Sequence, residues 1–134
     1  MNYLLDTNIC VHFLRGKYGV AERLEAVQAE NFAISEITLA ELVFGAENSE
    51  NPEKNHRLID QLLELITILP IYDSIMTYGK EKARLRKAGT MISDLDLFIG
   101  CTAVANDLIM VTENTSEFER ISGIRIENWV GRTK

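Results

Sequence analysis

Apolar positions along the chain follow two rhythms, short dense runs that suit buried strands and longer stretches at helical spacing. Residues 2–6 run from strand-forming chain into an aspartate, Asp6. Behind it, "TNICVHFLR" sets Ile9 with Phe13 and Cys10 with Leu14 on helical faces. Val20, Leu24 and Val27 mark a second helix, "FAIS" (32–35) a short strand and "EITLAELVFGAE" a mostly apolar helix. Pro52 suits the first turn of another helix, in which Leu58, Leu62 and Leu65 recur. "ITILPI" (66–71) reads as a strand whose proline suits an edge or a terminus. A helix from about Ser74 closes at Gly89, which tolerates the left-handed stop. "LDLFIGCTAVAND" is helical, "LIMVT" a buried strand, "SEFERI" a short helix and "IRIEN" a last strand. With no repeat or low-complexity tract, this predicts an α/β fold. One domain over residues 1–134 forms a three-layer α/β/α sandwich around a mostly parallel five-stranded sheet.

Composition adds exclusions. A hydrophobic fraction of 46% and a charged fraction of 25% suit a soluble globular protein. No apolar run approaches membrane-spanning length, and no basic segment with a signal-like core precedes the first strand. A cytoplasmic location is the expectation, with no membrane partner. Cys10 and Cys101 both sit in apolar helical patterns, as small core residues of a reducing compartment rather than disulfide or metal ligands. The net charge of −6 argues against a nucleic-acid partner at the level of the whole chain.

Three acids stand where water is hard to keep. Asp6 ends the first strand and is followed by Thr7 and Asn8. All three are good helix caps, and the carboxyl end of a strand in an open α/β sheet is also where ligands bind. Glu41 lies in "ITLAELVF", with Ile37 and Phe44 a turn away on its own face and no Lys or Arg within a turn. Desolvating a carboxylate costs several kcal/mol unless a donor or cation compensates, so Glu41 needs either a neighbouring helix N-terminus or a cation. In "SDLDLFIGCTAVA", Ser93 and Asp96 read as a capping box, and Asp96 also opens a helix that enters the core. Asp94 points elsewhere and reads as a solvated cap. "IMVTENTSEF" repeats the opening design: a strand ends at Thr112, then Glu113 and Asn114 follow, and Asn114 neighbours Asp6 if the two strands are adjacent. Three carboxylates and an amide oxygen on one rim repel without a counter-ion, and hard oxygen ligands suit Mg²⁺ or Mn²⁺.

Five pieces in order along nearly the whole chain carry a family likeness: "LLDTNICVHFLR", "ISEITLAELVFGAENS", "YGKEKARLRKAG", "ISDLDLFIGCTAVA" and "VTENTSEFERISGIRIENW". The chain resembles the PIN-domain endoribonucleases and, more narrowly, the VapC-type toxins of bacterial toxin–antitoxin pairs. The resemblance implies one or two Mg²⁺ or Mn²⁺ ions on Asp6, Glu41 and Asp96, with Thr7, Asn8 and Thr112 as supporting polar groups. It implies hydrolysis of RNA, tRNA and initiator tRNA above all, to 5′-phosphate and 3′-hydroxyl ends, with arrest of translation and growth. Its implied partners are a VapB-type antitoxin, DNA only through that antitoxin, and a second copy of the chain. The apolar surfaces of "ITLAELVFGA" and of the Leu-rich helix near 58–66 point to the same homodimer. Two positions depart from the family pattern. Asn114 stands where a fourth acid is frequent and is carried over as a catalytic residue, while Asp94 stands where proline is frequent and is carried over as a supporting one.

An RNA substrate is compatible with the acidic total. Of 14 basic residues, Lys80, Lys82, Arg84, Arg86 and Lys87 fall in one helix, with Lys80, Arg84 and Lys87 on one face. Such a strip holds a phosphate backbone whatever the net charge, and Arg15, Lys17 and Arg132 extend it. Rival chemistries fit less well. A metal-free histidine pair would need His12 and His56 together, yet they lie on separate helices. A phosphatase of the haloacid dehalogenase type needs a second Asp where Asn8 stands, and the Asp-x-Asp of a topoisomerase–primase domain follows a strand whereas "DLD" opens a helix. A non-catalytic flavodoxin-like binding module has no use for Glu41 in an apolar helix.

Overall fold

The computed structural model describes residues 2–131. The chain runs β1 (Tyr3–Leu5), α1 (Thr7–Leu14), α2 (Val20–Val27), β2 (Phe32–Ser35), α3 (Glu36–Glu47), α4 (Pro52–Leu63) and β3 (Thr67–Leu69). It continues through α5 (Ile75–Ala88), α6 (Asp94–Ala105), β4 (Ile109–Val111), α7 (Thr115–Phe118) and β5 (Arg125–Glu127). Short polar side chains start the helices where the sequence places them. The Asp6, Ser35, Asn51 and Ser93 side chains each accept a backbone N–H in the first turn of α1, α3, α4 and α6. Pro52 occupies the opening turn of α4, and Gly89, at φ 72°, closes α5 in the left-handed conformation.

Strand order is β3-β2-β1-β4-β5, every pairing parallel, so the sheet is wholly rather than mostly parallel. Alternation along each strand divides the core in two. Leu5, Phe32, Ile34 and Val111 face a layer with Ile9, Cys10, Leu24, Leu42, Ile59 and Leu62 of α1–α4. Leu4, Ala33 and Met110 face the opposite layer with Leu85, Leu97, Ile99, Cys101 and Phe118 of α5–α7. Both cysteines are free and buried, and burial raises both thiols' pKa values, which keeps them unreactive.

The order of strands matters more than their length. The chain steps outward from β1 to β2 to β3, then crosses to the other side of β1 for β4 and β5. Because parallel crossovers are right-handed, that reversal moves the connecting helices to the other face and leaves a crevice at the carboxyl ends of β1 and β4. The register Leu5↔Val111 puts Asp6 and Thr112 side by side at that crevice. α7 is held there by close helix packing, since a Cβ on Gly100 of α6 would run into the Ile121 side chain and lie 3.1 Å from the Phe118 ring.

Several expectations are refined. The strands are shorter than the apolar runs that predicted them, and Pro70 falls just beyond the edge strand β3, where its missing N–H removes no ladder bond. "SEFERI" contracts to a four-residue helix starting earlier, at Thr115. Phe44 is 68% exposed, so the face of α3 around Glu41 is only partly covered. α4 turns Ile59 and Leu62 inward while Leu65, just beyond it, stays exposed, and further exposed apolar side chains include Val43, Phe44, Ile68, Tyr72, Ile75 and Met76 of α3, β3 and the approach to α5. Among the described residues no helix is long and apolar enough to cross a membrane.

Candidate active site

Asp6 is both cap and buried acid. Its Oδ1 accepts the Thr7 N–H at 2.8 Å and its Oδ2 accepts the Thr112 hydroxyl at 2.7 Å, with 5% of the residue exposed. Burial pushes its pKa up to about 6 against the pull of those two donors, and the charges of Asp96 and Glu41 push the same way. Glu41 reaches the same rim from the second turn of α3. The Thr7 hydroxyl lies 2.5 Å from Glu41 Oε1 and 3.2 Å from Thr38 Oγ1. A hydroxyl has one proton, so Thr7 donates to Glu41 and the buried Thr38 hydroxyl donates to Thr7.

Asp96 enters from the first turn of α6, its N–H bonded to Ser93 Oγ at 3.2 Å. Burial, then the Glu117 and Glu41 charges and a hydrogen bond shared with Glu117, hold its carboxyl above the usual range, while the Ser93 hydroxyl opposes them. Glu117 is therefore a fourth acid of the centre, and the sequence reading missed it. Its signal was available: "ENTSEF" puts an acid one helical turn beyond Asn114, at the end of a strand. Asn114 proves to be Glu117's partner. Its Nδ2 donates to Glu117 Oε2 at 3.1 Å and its N–H to Thr112 Oγ1 at 2.9 Å. The side chain expected to neighbour Asp6 serves Glu117 instead, and Thr112 makes the contact with Asp6.

The donor set is all oxygen, and burial together with the neighbouring acid charges raises Asp6 and Asp96, which suits a divalent cation. Among the described residues no three His, Cys, Asp or Glu side chains stand close enough to grip one ion together as they are. The carboxylates are tied instead to Thr7, Thr112, Ser93 and Asn114, so gripping an ion means exchanging some of these bonds for metal contacts.

Other expected residues lie apart. Asp94 pairs with Lys82 at 2.9 Å and accepts the Tyr78 hydroxyl at 2.9 Å, on the α5 side of α6. Those two donors, Lys82 first, lower its pKa. Asn8 is exposed on α1. Arg84 does not join Lys80 and Lys87 in an open strip. It bonds Glu81 at 2.8 Å and the Arg120 carbonyl at 2.5 Å, and Glu81 also accepts the Ser122 N–H, so this arginine ties α5 to the segment after α7. Arg15 lines a pocket of about 170 Å³ beside Glu41, with Val11, Leu42 and Ile59. Lys17 is exposed, and Arg132 lies outside the described residues. His12 bonds Glu113 and His56 bonds Glu47, each at hydrogen-bond distance, so the two rings serve different carboxylates.

A parallel sheet with acids at its switch point, framed by these seven helices, defines a class. The chain belongs to the PIN domain family, whose model matches residues 3–124. It is 37% identical over 131 residues to the tRNA(fMet)-specific endonuclease VapC of Shigella flexneri, covering 96% of this chain and 98% of that one. Over 132 residues it is 38% identical to ribonuclease VapC2 of Haemophilus influenzae, covering 97% and 99%. Among solved structures it resembles VapBC2 from Rickettsia felis bound to a DNA fragment from the promoter, with TM-score 0.89, 35% identity and coverage of 96% and 99%. DNA-bound VapBC from Salmonella typhimurium matches with TM-score 0.90, 35% identity and coverage of 96% and 98%.

The raised pKa of Asp6 makes stability depend on pH in a defined direction. In the unfolded chain the group titrates near 3.8 and in the folded chain near 6, so between these values the folded state binds more protons. Stability from this group is present at low pH and is lost as pH rises through about 6. The melting temperature of Asp6→Asn minus that of the wild type, both in chelator, is therefore expected to be largest above pH 6 and to shrink as pH falls toward 4. A difference independent of pH would contradict the assignment.

Proposed function

We propose that this chain is the RNA-cleaving toxin of a toxin–antitoxin pair, a cytoplasmic, Mg²⁺- or Mn²⁺-dependent endoribonuclease that arrests translation and growth. Its substrate in this reading is tRNA, the initiator species included, and its products carry 5′-phosphate and 3′-hydroxyl ends. One observation carries it: acids from β1's end, α3, α6 and α7 gather at the switch point, and among the described residues none of them is paired with a Lys or Arg. The likeness to a tRNA(fMet)-specific endonuclease supports the substrate. The likeness to DNA-bound VapBC complexes supports a VapB-type antitoxin as partner, with DNA reached through it.

Asp6, Glu41 and Asp96 would hold the ion, with Glu117 beside Asp96. Once bound, the ion supplies Lewis acidity, lowering the pKa of a water and countering charge on the phosphate. The chain's own part is orientation. Thr7 and Thr112 hold both oxygens of Asp6, so that carboxylate is set before substrate arrives. Asn114 aims Glu117 through Oε2, keeping a proton acceptor beside Asp96. Glu41→Gln and Asp96→Asn should each lower kcat roughly a hundredfold or more in a folded protein and weaken Mn²⁺ binding. Glu41→Gln retains shape and hydrogen bonding, so wild-type cleavage by this variant would reduce Glu41 to a structural role.

The RNA backbone is proposed to lie along α5. Gly79 and Ala83 floor a shallow cleft edged by Lys82, Arg86 and Lys87, and Lys80 is exposed nearby. Arg86→Gln with Lys87→Gln should raise KM, leave kcat in place and reduce the salt-dependence slope by about one per charge removed. An unchanged slope would place the RNA elsewhere.

Self-association is proposed through the exposed Val43, Phe44, Ile68, Tyr72, Ile75 and Met76. Sedimentation of the antitoxin-free chain at micromolar concentration should show a dimer. A monomer alone would argue against it.

A further inference from the structure

We propose that His12 is a positioning residue for the acid centre, acting through Glu113 on the turn that carries Thr112, Asn114 and Glu117. Its catalytic consequence rests on the ribonuclease reading; its structural content does not. His12 Nε2 lies 2.7 Å from Glu113 Oε1, and the two side chains are only 13% and 17% exposed. A carboxylate without a proton only accepts, so Nε2 carries the hydrogen. The Tyr18 ring stands edge-on to the imidazole at 4.6 Å and 75°, which limits its rotation.

The placement of Glu113 gives this bond its reach. Thr112, the residue before it, donates to Asp6, and Asn114, the residue after it, donates to both Thr112 and Glu117. The links close a ring. Asp6 opens α1, His12 in the second turn of α1 reaches Glu113, and Thr112 returns to Asp6. α7, which carries Glu117, has four residues and no side-chain cap at Asn114, so its position comes from outside contacts rather than from helix formation: Phe118 packs it on α6, and the hydrogen bonds of residues 112–114 fix the turn at its start. The same bond restrains a further carboxylate.

His12→Phe keeps an aromatic ring against Tyr18 and removes the donor, whereas His12→Gln keeps a donor amide. In His12→Phe, hydrogen exchange at the Asn114 amide should quicken about tenfold while the amides of β1 and β4 keep their protection. Mn²⁺ affinity by calorimetry should weaken about tenfold. His12→Gln should restore both to within about twofold, since one donor replaces another. On RNA, the Phe variant should lower kcat with KM unchanged. Glu113→Gln, which keeps side-chain shape and weakens the bond, should show the same pattern more mildly and serves if His12→Phe does not fold. Unchanged exchange at Asn114 would overturn the proposal, as would loss of protection spread evenly over the core. If the wild type cleaves no RNA, the ribonuclease reading falls and the exchange data still decide this one.

Discussion

One buried carboxylate organises the working end of the molecule. Asp6 accepts from the first peptide of α1 and from the side chain that ends β4, so a single acid joins two neighbouring strands and a helix. Each bond to an ionised acceptor is worth about 1.5–3 kcal/mol, yet the raised pKa says that burial outweighs them. Folding thus brings an acid to the rim with its charge incompletely compensated. The missing compensation must come from a proton or a cation, and that requirement is what makes the position chemically useful.

The remaining acids depend on how the helices are delivered to that rim. α3 leaves β2 directly after Ser35, which places Glu41 over Thr7. α6 begins at Ser93 and enters the core, so Asp96 is held at its mouth by the same capping contact that starts the helix. The close pass at Gly100 brings α7 and Glu117 against it. Capping and chemistry are not alternatives at these positions. A helix N-terminus supplies donors that aim a carboxylate and oppose the effect of its burial, so a good cap at a strand's carboxyl end is already half of an anionic site.

Elsewhere the structure spends charges on architecture. Arg84 is used to bind α5 to the chain after α7 through Glu81 and the Arg120 carbonyl, and Lys82 is shared with Asp94 and Tyr78. What remains open on α5 is a narrower basic surface than the count of cations implies. Tyr78 stacks on Phe98 at 3.8 Å, and this pair brings α5 and α6 together beside Asp94.

Local pattern determined much of this protein by itself. Period-two and helical spacing marked every strand and the seven helices, because burial of an apolar face is written in neighbouring residues. The order of motifs marked the family, and the strand-end position marked Asp6. Asp96 and Glu41 stood out because acids among apolar neighbours demand an explanation. Which acids meet was decided only by tertiary structure. Asn114 and Glu117 stand one helical turn apart, so their pairing is local, but the packing of α6 on α7 decided that Glu117 meets Asp96, and the β1–β4 register gave the contact with Asp6 to Thr112. The same holds for Arg84 and for the His12–Glu113 pair, whose partners are 36 and 101 residues away in the chain. Side-chain partnership across the sheet is a long-range property, set by strand order and helix packing, and no spacing within a segment encodes it.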